Sequence, residues 1–261
     1  MSDTLLYTVD TGVATIALNR THVMNALDAA MIARLRAVCE QARDDAAVRV
    51  ILLRGNGPAF LAGGDVALFH ANLPQLPELV RRLAGELHCA ILALRAAAKP
   101  VLASVHGAVA GAGVSLLAAA DLAIAAADTK FTLAYSKIAT SPDGGSTYFL
   151  PRIVGTRKAL ELMMLSDSFD AAAALQMGLV NWVVPAADLA AETDSIVRRL
   201  VSGPTVAYGE GKALVNQTFD RSLAGQLDAE AQAFARCART SDLAEGVTAF
   251  VEKRKPDFKG H

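Results

Sequence analysis

Residues 101–120 read Val101-Leu-Ala-Ser-Val105-His106-Gly107-Ala-Val-Ala-Gly111-Ala112-Gly113-Val-Ser115-Leu-Leu-Ala-Ala-Ala120. The first five form an apolar run between Lys99-Pro100 and Gly107, the pattern of a strand buried on both faces. Glycines then permit a tight turn. Gly111 to Ala120 carries small and leucine side chains suited to a helix packed closely on its neighbours. An earlier stretch has the same order: a buried strand over Val48 to Leu53, then a loop with Gly55, Gly57, Pro58, Gly63 and Gly64. Strand, glycine-rich turn and helix recurring in one order predict an α/β fold of wound or spiral form.

Working outward, Val13 to Leu18 alternates as a strand does. Asp28 stands where an N-cap belongs, before Met31, Leu35, Val38 and Ala42 at helical spacing, so a helix runs to about Arg43. Pro74 and Pro77 precede a long helix over roughly Glu78 to Ala97, which Lys99-Pro100 ends. Leu122 to Ala126 and Phe131 to Leu133 are two further short strands. After Pro151 helical patterns dominate, apart from a strand at Val180 to Val184. Beyond Pro204 the spacing predicts helices over Val206 to Phe219, Leu227 to Ala238 and Asp242 to Arg254. The division is a body over residues 1–200 and a helical region over 201–261. The apolar stripes of that region need cover from the body or from another subunit.

Composition removes several function classes. The formal net charge is -1 across 261 residues, with no concentrated basic run, which argues against a nucleic-acid partner. Cys39, Cys89 and Cys237 are far apart and form no CxxC pair, so neither a disulfide framework nor a zinc site is expected. The stretch 101–127 is interrupted by His106, several glycines and Asp121, and makes a poor membrane span. The start, Met-Ser-Asp-Thr-Leu-Leu-Tyr, lacks the pattern of a secretory leader, so a cytoplasmic location is expected.

Two segments carry the chemistry: Phe60-Leu61-Ala62-Gly63-Gly64-Asp65-Val66 and His106 to Gly113. Each follows a strand and leads into a helix, where small residues admit a ligand to the backbone and free N–H groups favour negative charge. Two such donors aimed at one oxygen form an oxyanion hole. Either segment alone reads first as a tight turn. Neither gives a GxGxxG dinucleotide fingerprint, and no GxxxxGK[ST] is present.

To these are added Asn19-Arg20, Asn25-Ala26-Leu27, Ala59-Phe60, Lys99-Pro100, Asp121-Leu122, Gly178-Leu179-Val180 and Phe250-Val251-Glu252-Lys253-Arg254. In this order, from Ala14 to the C-terminus, the set resembles the crotonase family, also called the enoyl-CoA hydratase/isomerase superfamily. The resemblance implies a crotonase-like spiral of ββα units, a C-terminal helical trimerisation region, and homotrimers that can pair into hexamers. It implies an acyl-CoA thioester substrate, coenzyme A only as part of that substrate, and no metal or redox cofactor. By the same similarity Gly64 and Ala112 supply the two oxyanion N–H groups. Ala62, Gly63, Gly64, Asp65, Val66 and Gly111 would line the substrate channel. Phe250 and Lys253 would contact coenzyme A across a subunit interface, and Arg20 would reach a phosphate. Read without the family, Asp65 is an anchor for its loop and Lys253 part of a solvated helix end.

The departures narrow the chemistry. Ser115 and Tyr135 stand where the family's hydratases carry two glutamates, so the usual two-carboxylate hydration machinery is absent. Ser115 can still donate a hydrogen bond, though read by itself it is a small residue on a helix. One acid remains, Asp143. Its surroundings, Pro142-Asp143-Gly144-Gly145 with Phe149-Leu150-Pro151-Arg152 and Val154-Gly155, are similar to enoyl-CoA isomerases of the phenylacetate ring-isomerase type. On its residues alone Asp143 also reads as the N-cap of a helix running to Leu150. As a base it suits a double-bond shift, since one carboxylate can take a proton from the α-carbon and return it at the γ-carbon. The alternatives are an enoyl-CoA hydratase with atypical residues, an aryl-CoA dehalogenase with Asp143 as nucleophile, and an inactive CoA-ester-binding protein.

Overall fold

The computed structural model describes residues 3–261. Strands β1 (Leu5–Asp10), β2 (Val13–Leu18), β3 (Val50–Gly55), β4 (Val101–Val105), β6 (Leu122–Ala126) and β9 (Trp182–Val184) form one sheet in that order. Only β1 runs antiparallel, to β2; the other pairings are parallel. A second sheet has the order β5 (Ala108–Ala110), β7 (Lys130–Thr132), β8 (Phe169–Asp170). Because β2, β3, β4 and β6 join in sequence order, the chain advances one strand per turn. The β4 turn goes on to β5 in the small sheet and then a helix, and the β6 turn goes on to β7 in the small sheet and then helices. The winding is therefore a spiral of ββα units.

Local chemistry accounts for the helices. In α1 (Ala29–Asp44) the Asp28 carboxylate accepts a hydrogen bond from the Met31 N–H at 2.8 Å, the expected N-cap. The buried stripe of Met31, Leu35, Val38 and Ala42 packs α1 against α3 (Leu76–Ala96), which buries Leu83, Leu87, Ile91 and Leu94. Between them lies α2 (Val66–Ala71). The next helices are α4 (Ala112–Ala119), α5 (Ser146–Val154), α6 (Thr156–Leu165), α7 (Ala171–Gln176) and α8 (Leu189–Val201). Then come α9 (Thr205–Asn216), α10 (Leu223–Cys237) and α11 (Ser241–Glu252).

Three strands lay outside the sequence reading. β1 pairs with β2 through a turn at Thr11 and Gly12, both at positive φ. β5 and β8 are three and two residues long and exist only through partners distant in sequence. The last helices are tied to the body by polar contacts. Lys212 of α9 meets Asp121 at 2.8 Å, and Arg49 donates to the Gly203 carbonyl at 2.6 Å. On α10 and α11, Phe234, Val247, Phe250 and Val251 remain exposed.

Gly107 shows how tightly the two glycine segments are pressed together. Its φ is +61°, and a Cβ there would fall 2.0 Å from the Pro58 carbonyl oxygen. Gly107→Ala is expected to cost about 3 kcal/mol, combining backbone strain with overpacking. A urea melt reads this directly, and an unchanged midpoint would contradict it.

Candidate active site

The two glycine segments meet as adjacent extended chains. The Phe60 N–H donates to His106 O at 2.9 Å, Leu61 N–H to Ala108 O at 3.2 Å, and Ala110 N–H to Leu61 O at 2.9 Å. Asn25 fixes the approach to the first segment: its side-chain amide donates to the carbonyls of Asn56, Ala59 and Phe60. On either side of Gly64 the backbone is already paired with Leu27, through Leu27 N–H to Gly63 O at 2.8 Å and Asp65 N–H to Leu27 O at 3.0 Å. The Gly64 N–H is left over and donates to no acceptor among the described residues.

In the second segment Gly111 takes φ +50° and donates to Thr132 O at 3.0 Å, which turns the chain into α4. Ala112 is the first residue of that helix. Its N–H has no carbonyl one turn earlier to bond, and it too donates to no acceptor among the described residues. A Cβ on Gly111 would lie 3.6 Å from the Gly63 Cα, so the segments touch just where these N–H groups emerge. Both residues line one cavity of about 620 Å³, walled by apolar side chains including Ile32, Leu83, Leu87 and Ile138.

Asp143 lines the same cavity. Its loop packs on α4: a Cβ on Gly144 would meet the Ser115 Cβ at 2.8 Å. The N-cap reading of Asp143 does not hold. Gly145, in a left-handed conformation, precedes α5, and the contacts to Ser146 use the Asp143 main-chain oxygen. The carboxylate instead accepts a hydrogen bond from the Tyr135 hydroxyl at 2.6 Å. Tyr135 also meets Ser115 Oγ at 3.0 Å, and Ser115 donates to the Asp143 carbonyl at 2.9 Å. Burial, and then the neighbouring Asp143 charge, push the Tyr135 phenol well above its ordinary range, so it stays protonated.

The protein-family model described as enoyl-CoA hydratase/isomerase matches residues 8–261. The chain belongs to the enoyl-CoA hydratase/isomerase family. A "Probable enoyl-CoA hydratase" of Rhodobacter capsulatus is 37% identical to this family member over 98% of each chain. The "1,2-epoxyphenylacetyl-CoA isomerase" of Escherichia coli is 34% identical over 100% of each. The crystal structure of an enoyl-CoA hydratase from Polaromonas superimposes with a TM-score of 0.92 at 32% identity, covering 98% of this chain and 99% of that one. The crotonase-like α/β fold expected from the sequence is thus the observed one.

The other residues singled out in this hydratase/isomerase chain divide into two groups. Ala62, Gly63, Val66 and Gly111 line the cavity with Gly64 and Ala112. Asp65 does not. It caps α2 by accepting from Leu68 N–H at 3.2 Å and pairs with Arg20 at 3.1 Å, which is the anchoring task. Arg20 is the clearest correction. Its guanidinium is spent on Asp28, Asp65 and the Ala26 carbonyl, and its side chain is only 13% exposed, so it is not free to meet a phosphate. Arg81 and Lys137 are the cationic residues that line the cavity. Phe250 is 85% exposed and lines a separate groove with Leu243, Val247 and Phe258. Neither it nor Lys253 lines the cavity of Gly64 and Ala112.

Tyr135 was legible in the sequence only as a missing glutamate, and Ser115 as a missing glutamate still able to donate a hydrogen bond. The signal available was that both gaps bear hydroxyls, which can bond to one another and to a nearby acid. His106, at the end of β4, makes a structural contact, its ring Nε2 bonding to Gly57 O at 2.8 Å. Among the described residues no group of three or more His, Cys, Asp or Glu is placed to hold a metal ion, and no helix is long and apolar enough to cross a membrane.

Proposed function

We propose that this family member moves the double bond of an enoyl-CoA thioester by one position, through an enolate held by Gly64 and Ala112. The carrying observation is that two unspent main-chain N–H groups and one carboxylate line the same apolar cavity. Asp143 takes a proton from the α-carbon of a 3-enoyl thioester, and the electron pair spreads onto the thioester oxygen and the γ-carbon. The two amides and the N-terminal end of α4 stabilise that charge. Asp143 then returns the proton at the γ-carbon, leaving the 2-enoyl product. Arg81 and Lys137, both exposed at the cavity, supply positive charge for the anionic coenzyme A moiety, the task the sequence reading gave to Arg20.

Hydration needs a group that activates and places a water. The two positions that would do so hold a serine and a phenol already bonded to each other and to Asp143. This favours the isomerase over the hydratase. The exposed apolar residues of α10 and α11 support self-association into a trimer or hexamer, in which Phe250 and Lys253 reach a neighbouring copy's substrate.

The test is a panel of 3-enoyl-, 2-enoyl- and aromatic CoA thioesters, with products separated by chromatography. The expected result is conversion of 3-enoyl to 2-enoyl esters with little water addition to crotonyl-CoA. Steady hydration of crotonyl-CoA replaces this reading with the hydratase. An acid-labile covalent adduct on Asp143 replaces it with nucleophilic catalysis, and tight binding without turnover makes the chain a binding protein.

A further inference from the structure

We propose that Tyr135 is a positioning residue for the proton shuttle, pinning one oxygen of Asp143 so that the other alone carries the proton between the two carbons. The inference rests on the isomerase reading above and adds a part to it. Tyr135 O–H to Asp143 Oδ1, at 2.6 Å, is a short contact with an ionised acceptor, of the stronger class of hydrogen bond. The second carboxylate oxygen receives no hydrogen bond from a donor among the described residues.

Counting hydrogens fixes the direction of the chain. The phenol has one proton and gives it to Asp143, so in its contact with Ser115 it can only accept. Ser115 in turn has one proton, shared in a three-centre hydrogen bond between the Asp143 carbonyl at 2.9 Å and the Tyr135 oxygen at 3.0 Å. The serine therefore ties the phenol to the backbone of the very residue the phenol orients. Ser115 is fully buried, and Gly144 packs on its Cβ, so this triangle has little room to shift.

The consequence is chemical. When the α-C–H bond breaks, the new O–H bond forms at Oδ2, and the electron pair moves into the enolate. When that O–H bond breaks, the γ-C–H bond forms and nothing else is consumed. With Oδ1 held by Tyr135, the carboxyl group cannot rotate, so the acquired proton stays on the atom facing the substrate. A free carboxyl group turns and exchanges that proton with water.

The experiment uses 3-enoyl-CoA deuterated at the α-carbon, with wild type, Tyr135→Phe and Ser115→Ala. Wild type is expected to deliver a measurable share of the label to the γ-carbon. Tyr135→Phe should lower kcat about ten- to a hundredfold, with KM changed less than about twofold. Its label share should fall severalfold. Ser115→Ala, which loosens the phenol without removing it, should move both quantities in the same direction by less, and it serves as the readout if Tyr135→Phe does not fold. A variant that loses kcat while keeping the wild-type label share has a structural defect only, and overturns the proposal. So does a wild type that turns over but returns no label to the γ-carbon. A wild type that moves no double bond fails at the earlier reading and takes this one with it.

Discussion

Asp143→Asn lowers kcat for double-bond migration by about 10³- to 10⁴-fold, at the upper end of what a single acid–base group contributes. The substitution is nearly isosteric. The asparagine side-chain oxygen can still accept from Tyr135, so the triangle with Ser115 and the loop over Gly144 and Gly145 are retained. What is lost is the basic oxygen that takes the α-proton. Binding of the CoA ester, measured by calorimetry, should stay within about threefold of wild type, because the walls of the cavity and both amides are untouched. A variant that isomerises at the wild-type rate removes Asp143 from the chemistry. One that also loses binding shows that the carboxylate was part of the architecture instead.

Ala112→Pro is the second large effect, at a position where the fold tolerates proline. Proline is well accommodated at the first residue of a helix, because that N–H has no intrahelical acceptor and φ is already near the required value. Ala112 occupies that position in α4, and its N–H donates to no acceptor among the described residues. The substitution therefore removes a donor that the fold does not use. It also places ring carbons where the thioester oxygen would sit. The expected loss is about 10²- to 10³-fold in kcat, the range for removing one oxyanion-hole donor. Ala112→Gly is the control. It keeps the N–H and deletes only a methyl group, so it should retain activity within severalfold.

β4, α4 and β6 were read from the sequence almost as they fold, because two buried strands and a glycine-led helix of small residues between them are local patterns. α1 was equally legible, since its cap and its buried stripe both lie within sixteen residues. β5 and β8 were not. They are too short to carry a period, and only pairing with β7 across the fold makes them strands. At the site, the alignment of Gly64 with Ala112 depended on glycines whose need is visible in sequence, and the cavity does bring the two residues together. The partners of Asp143 were not visible, because a hydrogen bond from Tyr135 across eight residues of irregular chain has no spacing rule behind it. Arg20 failed for a similar reason. Its two acidic neighbours, Asp28 and Asp65, are 8 and 45 positions away in sequence, and only the folded loop shows that they use up its charge.

A crystal structure of Asp143→Asn soaked with a 3-enoyl-CoA reads the geometry of the oxyanion hole directly. The thioester oxygen should lie about 3 Å from both the Gly64 and Ala112 nitrogens, with the α- and γ-carbons facing residue 143. A thioester oxygen bound elsewhere in the cavity, or within reach of neither nitrogen, rules out an enolate held by Gly64 and Ala112.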